Sequence, residues 1–195
     1  MDRSLAYCKT LSTELFSRTA PASTDNLTVI RSAFRPLLVP KPIKRCLPLW
    51  DTRNIPIEID DDTATLDSRY WYIPRFLVDI LCDMAVIHSS ICGEHKVKGR
   101  IALIRGTPCP KWHVDKVKLR GICALIGPGC VARQEGRVLE LQSGDVLFMK
   151  GGGVDEKWQE AVWHRSPIVG GTDLRLVVQT DCWDESKLEE FDQLG

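Results

Sequence analysis

The sequence predicts a mainly β chain with flanking helices, an α+β arrangement whose strands close into a sandwich or barrel. Three observations carry this. From residue 99 onward, short apolar runs at 100–105, 111–119, 121–126, 137–141, 145–149, 161–164 and 174–180 are separated by Gly, Pro and polar turns. Between residues 74 and 90 alone, apolar residues recur at helical spacing. A chain of 195 residues suits one well-buried core better than two.

The predicted organisation is an N-terminal support segment, residues 1–98, joined to a strand-rich core, residues 99–195, as one integrated domain. The first part opens with a short helix at 11–16 and a candidate strand at 27–30. A passage through Pro36, Pro40, Pro42 and Pro48 follows, and it cannot be regular helix. Its Arg31, Arg35, Lys41, Lys44 and Arg45 read as solvated loop charge. Residues 55–59 read as an edge strand, because Pro56 has no N–H to give a central ladder. In the helix at 74–90, Pro74 suits the first turn and Phe76, Leu77, Ile80, Leu81, Met84 and Ile87 form the buried stripe, with Gly93 at the end. His88 and His95 are assigned to the helix end and the surface. In the second half, 127–129 and 142–145 are turns by composition, and 151–153 is a glycine loop.

The 26 basic and 26 acidic residues balance, so no overall field draws the chain to nucleic acid or to an anionic membrane. No apolar run approaches the roughly 20 residues of a membrane span. The start lacks the basic and apolar pattern of a secretory signal, so a cytoplasmic protein is expected; Ser, Thr and Arg in the first twenty residues hint at organelle import. The eight cysteines contain no Cys-x-x-Cys pair and read as reduced thiols.

The chemistry concentrates in residues 110–119. Read as a strand, this stretch points His113, Asp115, Val117 and Leu119 to one face and Lys116, Lys118 and Arg120 to the other. An imidazole and a carboxylate on an apolar inward face need partners, since each costs a few kcal/mol when buried alone. A metal ion satisfies both. His164, in the next histidine-bearing run, supplies a second imidazole. Two imidazoles and one carboxylate leave about three positions of a metal free, which suits non-haem Fe(II). Eleven residues on, Arg175 interrupts an apolar strand and calls for a carboxylate. A dicarboxylic cosubstrate is one source, and an internal salt bridge to Asp145 or Glu140 is the other.

The order His113-x-Asp115, His164, Arg175, with a Gly144-Asp145 strand start, resembles the Fe(II)/2-oxoglutarate-dependent oxygenase superfamily over about residues 99–182. The resemblance implies a double-stranded β-helix, a cupin-like jelly roll. It also implies Fe(II) on His113, Asp115 and His164 as the metal and catalytic set, and 2-oxoglutarate held by Arg175. The implied reaction couples oxidative decarboxylation of 2-oxoglutarate to hydroxylation or demethylation of a substrate that the sequence does not name. One position departs from the pattern: Val177 stands where many of these oxygenases carry Ser or Thr. Gln179, Arg105 and Ser166 are other candidates for holding the cosubstrate. More closely, Cys109-Pro-Lys-Trp-His-Val-Asp115, with Gly-Pro-Gly, Gly-Asp-Val and His-Arg-Ser-Pro downstream, resembles a family known as a domain of unknown function. Some bacterial members of that family are associated with metallochaperone-type GTPases that handle zinc.

Two further function classes stay open at this point. Cys109, Cys123 and Cys130 with the two histidines would make a closed zinc site in a non-catalytic module of metal homeostasis. Lys96, Lys98, Arg100, Lys116, Lys118 and Arg120 would be the phosphate contacts of a nucleic-acid-modifying oxygenase, their simpler role being to solvate outer strand faces. Trp112, Trp158 and Trp163 either pack or line a substrate pocket, and the acidic stretch 181–193 reads as a solvated end.

Overall fold

The computed structural model describes residues 4–7, 22–24, 27–34, 51–134, 136–152 and 161–183. Among them are twelve strands: β1 (Ser4–Tyr7), β2 (Ala22–Thr24), β3 (Leu27–Ile30), β4 (Thr52–Asp60), β5 (Thr63–Asp67), β6 (Lys96–Arg105), β7 (Leu119–Ile126), β8 (Val131–Gln134), β9 (Arg137–Glu140), β10 (Val146–Lys150), β11 (Trp163–Arg165) and β12 (Leu174–Cys182). One α-helix, α1 (Arg75–Cys92), separates β5 from β6. The expected helix at 11–16, the proline-rich passage, Trp158 and the tail beyond residue 183 lie outside the described residues.

All pairings are antiparallel, in a nine-stranded sheet of order β1-β5-β4-β6-β12-β7-β10-β3-β2 and a three-stranded sheet of order β11-β8-β9. His113 extends the smaller sheet by exchanging two backbone hydrogen bonds with His164, at 3.0 and 2.9 Å. From β6 onward the chain alternates between sheets: β6 in the large, His113 in the small, β7 in the large, β8 and β9 in the small, β10 in the large, β11 in the small, β12 in the large. Two interleaved antiparallel sheets wound in this way form a double-stranded β-helix, a jelly roll.

Five strands differ from the expectation: β1, β2, β5 and β8 are not among the expected runs, and β4 is placed differently. β4 lies between β5 and β6 and is no edge. Its proline is tolerated because Ile59 N donates toward β6, to His95 O at 2.8 Å. By alternation, position 56 therefore faces the β5 side, where the ladder has already ended at Ile57↔Leu66. β5 and β8 are too short and too mixed in composition to stand out as apolar runs, and the ladders around them define them.

α1 begins after Pro74 and ends at Gly93, whose φ of 73° closes the helix in the left-handed region. Its buried face carries Leu77, Leu81, Met84 and Ile87, which pack on Ile55, Ile57, Ile101, Phe148 and Val178 of the large sheet. Of the expected stripe, Leu77, Leu81, Met84 and Ile87 are buried and Ile80 is half-buried, while Phe76 is exposed. A second apolar layer of Leu147, Met149, Ala132, Leu141 and Val162 fills the space between the sheets. Each of the larger side chains contributes about 2 kcal/mol by leaving water. His95 is exposed, as expected, but His88 has no exposed surface. Its Nδ1 lies 3.0 Å from Thr180 Oγ1 and its Nε2 lies 3.4 Å from Cys182 Sγ. The helix end is roofed by the sheet, which the helical spacing of residues 74–90 does not reveal.

Asp145 ties the turn before β10 to the end of β3. Its Oδ1 accepts from Ser32 N at 2.8 Å, and its Oδ2 accepts from Gln142 N at 2.9 Å and from Arg31 at 2.6 Å. Burial alone would raise its carboxyl, but these donors hold it below the ordinary value. A carboxyl lowered in the folded state gives stability that is complete above its unfolded pKa of about 3.9 and is lost as pH falls through the folded value. Asp145→Asn will therefore lower stability at neutral pH and flatten the acid limb of a denaturation-versus-pH curve. At Gly121, an added Cβ would meet Thr180 Oγ1 and would lie 2.6 Å from the Phe148 ring. Gly121→Ala will cost about 1–3 kcal/mol in chemical denaturation, because neither neighbour is a flexible chain end.

Candidate metal centre

Residues 111–118 do not form the continuous strand that their pattern predicts. His113 makes a single bridge to His164, and bends at 116–118 return the chain to β7. The backbone here bonds to the segment after β10 instead: Gly152 N donates to Asp115 O at 2.8 Å and Gly151 N to Lys118 O at 3.3 Å. Position 151 must be glycine for that approach, since a Cβ there would collide with Val117 O and lie 2.6 Å from Asp115 O. The bends also reset the alternation. Leu119 joins the core under α1, and Arg120 turns inward rather than to solvent.

The loop, β11 and β7 bring His113, Asp115 and His164 together. One ligand atom from each falls within 4.8 Å of the others. Asp115 Oδ1 lies 3.9 Å from His113 Nε2, and Asp115 Oδ2 lies 3.0 Å from His164 Nε2. The ring centroids of the two histidines are 4.3 Å apart. His164 is buried and His113 is half-buried, so the group opens on the His113 side. Each Nδ1 faces a main-chain carbonyl, Lys111 O at 3.0 Å and Val162 O at 3.5 Å, which only an N–H can satisfy. That tautomer aims both Nε2 lone pairs at the carboxylate. His164 Nε2 and Asp115 Oδ2 then oppose lone pair to lone pair, which is repulsive unless a proton or a cation lies between them. Asp115 Oδ2 meets the Arg120 guanidinium at 2.6 Å but accepts no well-directed hydrogen bond. The donor set fits a metal ion, with both histidines oriented through their second nitrogens.

A second layer of charge holds Asp115. Arg120 reaches its Oδ2 at 2.6 Å and pairs in a fork with Asp181, Nε to Oδ1 at 2.7 Å and the second nitrogen to Oδ2 at 2.9 Å. Gln179 also donates to Asp181 Oδ2, at 2.8 Å. Burial pushes the Asp115 carboxyl up, and His164, Arg120 and His113 together bring it below its usual value. Burial works against the Arg120 charge, while Asp181 and Asp115 more than restore it. Arg120 is thus no outer-face cation, and Asp181 belongs to β12 rather than to a solvated tail. The signal that would have found them is the pair of glycines at 151 and 152, which mark a close backbone approach and hence a break in the strand.

Arg175 is buried, and its Nε donates to Pro128 O at 2.9 Å. Neither carboxylate considered for it takes that place: Asp145 binds Arg31, and no ion pair joins Arg175 to Glu140 among the described residues. Burial lowers the Arg175 pKa. Cys130 lies within electrostatic reach of both Arg175 and Asp115, its thiol pushed up to about 12 chiefly by burial. Cys123, too, is buried, and Cys109 is exposed. None of these three joins His113 and His164 in a ligand cluster among the described residues. Of the basic residues considered for phosphate, Lys96 pairs with Glu58, Lys118 with Glu94 and Arg120 with Asp115 and Asp181. Trp112 stacks under the guanidinium groups of Arg133 and Arg165, and Trp163 is exposed. No helix among the described residues is long and apolar enough to cross a membrane.

A family model described as "Protein of unknown function (DUF1826)" matches residues 73–181, more than half of the chain. The chain belongs to the DUF1826 family. The matched stretch of this DUF1826 chain contains His113, Asp115, His164 and Arg175. No curated protein matches it. Among solved structures, it is similar to a prolyl-4-hydroxylase from Pseudomonas putida at 14% identity and a TM-score of 0.40, over 53% of this chain and 63% of that one. It is also similar to a 2OG-Fe(II) oxygenase family oxidoreductase from Burkholderia pseudomallei, at 12% identity and a TM-score of 0.39 over 92% and 83% of the two chains. A third is SnoK, a non-haem α-ketoglutarate-dependent carbocyclase from nogalamycin biosynthesis, at 10% identity and 0.39 over 91% and 85%.

Because Arg120 is shared by two carboxylates, removing either one leaves a buried charge poorly compensated. Asp181→Ala will destabilise the DUF1826 chain by about 3 kcal/mol in urea unfolding. Lys118→Ala, which breaks an exposed pair, will change it by less than about 1 kcal/mol.

Proposed function

We propose that this chain is an Fe(II)/2-oxoglutarate-dependent dioxygenase acting on a substrate not yet identified. The observation that carries the reading is the opposition of His164 Nε2 and Asp115 Oδ2 at 3.0 Å with His113 beside them, a set of donors that a shared cation would join. His113, Asp115 and His164 would hold the metal through Nε2, a carboxylate oxygen and Nε2. Bound there, Fe(II) supplies oxygen activation at the expense of the oxidative decarboxylation of the cosubstrate.

The protein's own residues account for the rest. Lys111 O and Val162 O fix the ring tautomers. Arg120 draws on Asp115 from behind and, with Asp181 and Gln179, restrains its rotation. Ala132, the register partner of His164, and Val162, two residues before it, are buried and keep water from that flank of the histidine. Arg175, on the inward face of β12 with Val177 and Gln179, presents a buried guanidinium that a dicarboxylate would neutralise through its distal end. Val177 offers no hydroxyl, so in this reading Arg175 alone carries the ionic part of that recognition.

Anaerobic titration of the reduced chain with Fe(II) and 2-oxoglutarate should give the visible charge-transfer band of the ternary complex, and admission of oxygen should give succinate. His113→Ala should lose the metal. Arg175→Ala should keep the metal and raise the 2-oxoglutarate requirement by roughly thirtyfold, as expected for about 2 kcal/mol of lost buried pairing. Tight zinc binding with no ternary band and no succinate would instead favour a non-catalytic metal module.

A further inference from the structure

A second group of metal-type ligands lies on the opposite face of β12. His88 and Cys92 stand four residues apart, on one side of the last turns of α1. Cys182, at the end of β12, completes the group, and one ligand atom from each residue falls within 4.8 Å of the others. His88 is wholly buried and the two thiols are half-buried, so donors of this kind sit together at a place where water reaches only one side.

We propose that His88, Cys92 and Cys182 form a second metal site, separate from the His113 group, which takes a thiophilic divalent ion, zinc by the chemistry of its donors. Two thiolates and one imidazole are soft to borderline ligands, the set that zinc prefers over Mg²⁺ or Ca²⁺. Donors on a tetrahedral zinc, at about 2.3 Å for sulfur and 2.0 Å for nitrogen, stand about 3.5 Å apart. His88 Nε2 and Cys182 Sγ are already 3.4 Å apart. The other ring nitrogen of His88 is engaged by Thr180 Oγ1 at 3.0 Å, the arrangement that orients a metal-bound histidine. Three protein ligands leave a fourth position on the accessible side. An ion there would fasten the end of α1 to the end of β12, one residue beyond the Asp181 that supports Asp115 through Arg120.

The test uses the full chain, reduced and handled without oxygen, titrated with Co²⁺ as a spectroscopic stand-in for zinc. The expected result is sulfur-to-cobalt charge-transfer absorption that is displaced by Zn²⁺, survives in His113→Ala, and in that variant saturates at one equivalent. Cys92→Ser and Cys182→Ser should each weaken it sharply, and the double variant should abolish it, with circular dichroism confirming that each remains folded. Thr180→Val removes no ligand and should weaken cobalt binding about tenfold or more by freeing the His88 ring. The proposal is overturned if no sulfur-to-cobalt band appears, if the band persists in the folded double variant, or if Thr180→Val binds cobalt as the unaltered chain does.

Discussion

Two carboxylates, Asp181 buried and Asp115 half-buried, share one guanidinium, and the architecture around the candidate centre depends on that arrangement. Asp115 comes from a bent loop, Asp181 from β12 and Arg120 from β7, so the ion network fastens a loop to two strands that are neighbours in the large sheet. Asp115 keeps its charge because His164, Arg120 and His113 together outweigh the loss of hydration. Its other lone pairs remain directed at the two imidazoles. A loop held only by backbone hydrogen bonds would not fix a carboxylate oxygen 3.0 Å from a histidine nitrogen.

β12 distributes these roles by pleat alone. Arg175, Gln179 and Asp181 share its inward face, while Val178, Thr180 and Cys182 face α1. Because β12 pairs with both β6 and β7, neither face is free to adjust independently. The single bulge in the β12–β7 ladder falls between Leu176 and Val177, on the Arg175 side of the strand. The residues toward Cys182 therefore keep an unbroken register.

The legibility of this chain in its sequence follows the physics of burial. Strands of the jelly roll with an apolar inner face, such as β6, β7, β10 and β12, stand out as runs, and α1 is marked by Pro74 and Gly93. β5 and β8 carry too few apolar residues to announce themselves. The grouping of His113, Asp115 and His164 was legible because two inward polar residues at close spacing demand a partner. The inward turn of Arg120 was not, since period-two reasoning holds only while the strand is straight and the bends at 116–118 break it. The burial of His88, which reads in sequence as a helix-end or surface residue, is not legible, because a helix end is roofed or open according to the sheet, here Thr180 and Cys182, 92 and 94 positions away.

The adjacency of Asp181 and Cys182 also bears on how this chain can go wrong. A slip of β12 by one position against its neighbours would carry a thiol into the carboxylate network and a carboxylate under the helix. The first would strip Arg120 of its forked partner, and the second would bury an uncompensated carboxylate. Misaligned forms are therefore penalised twice over.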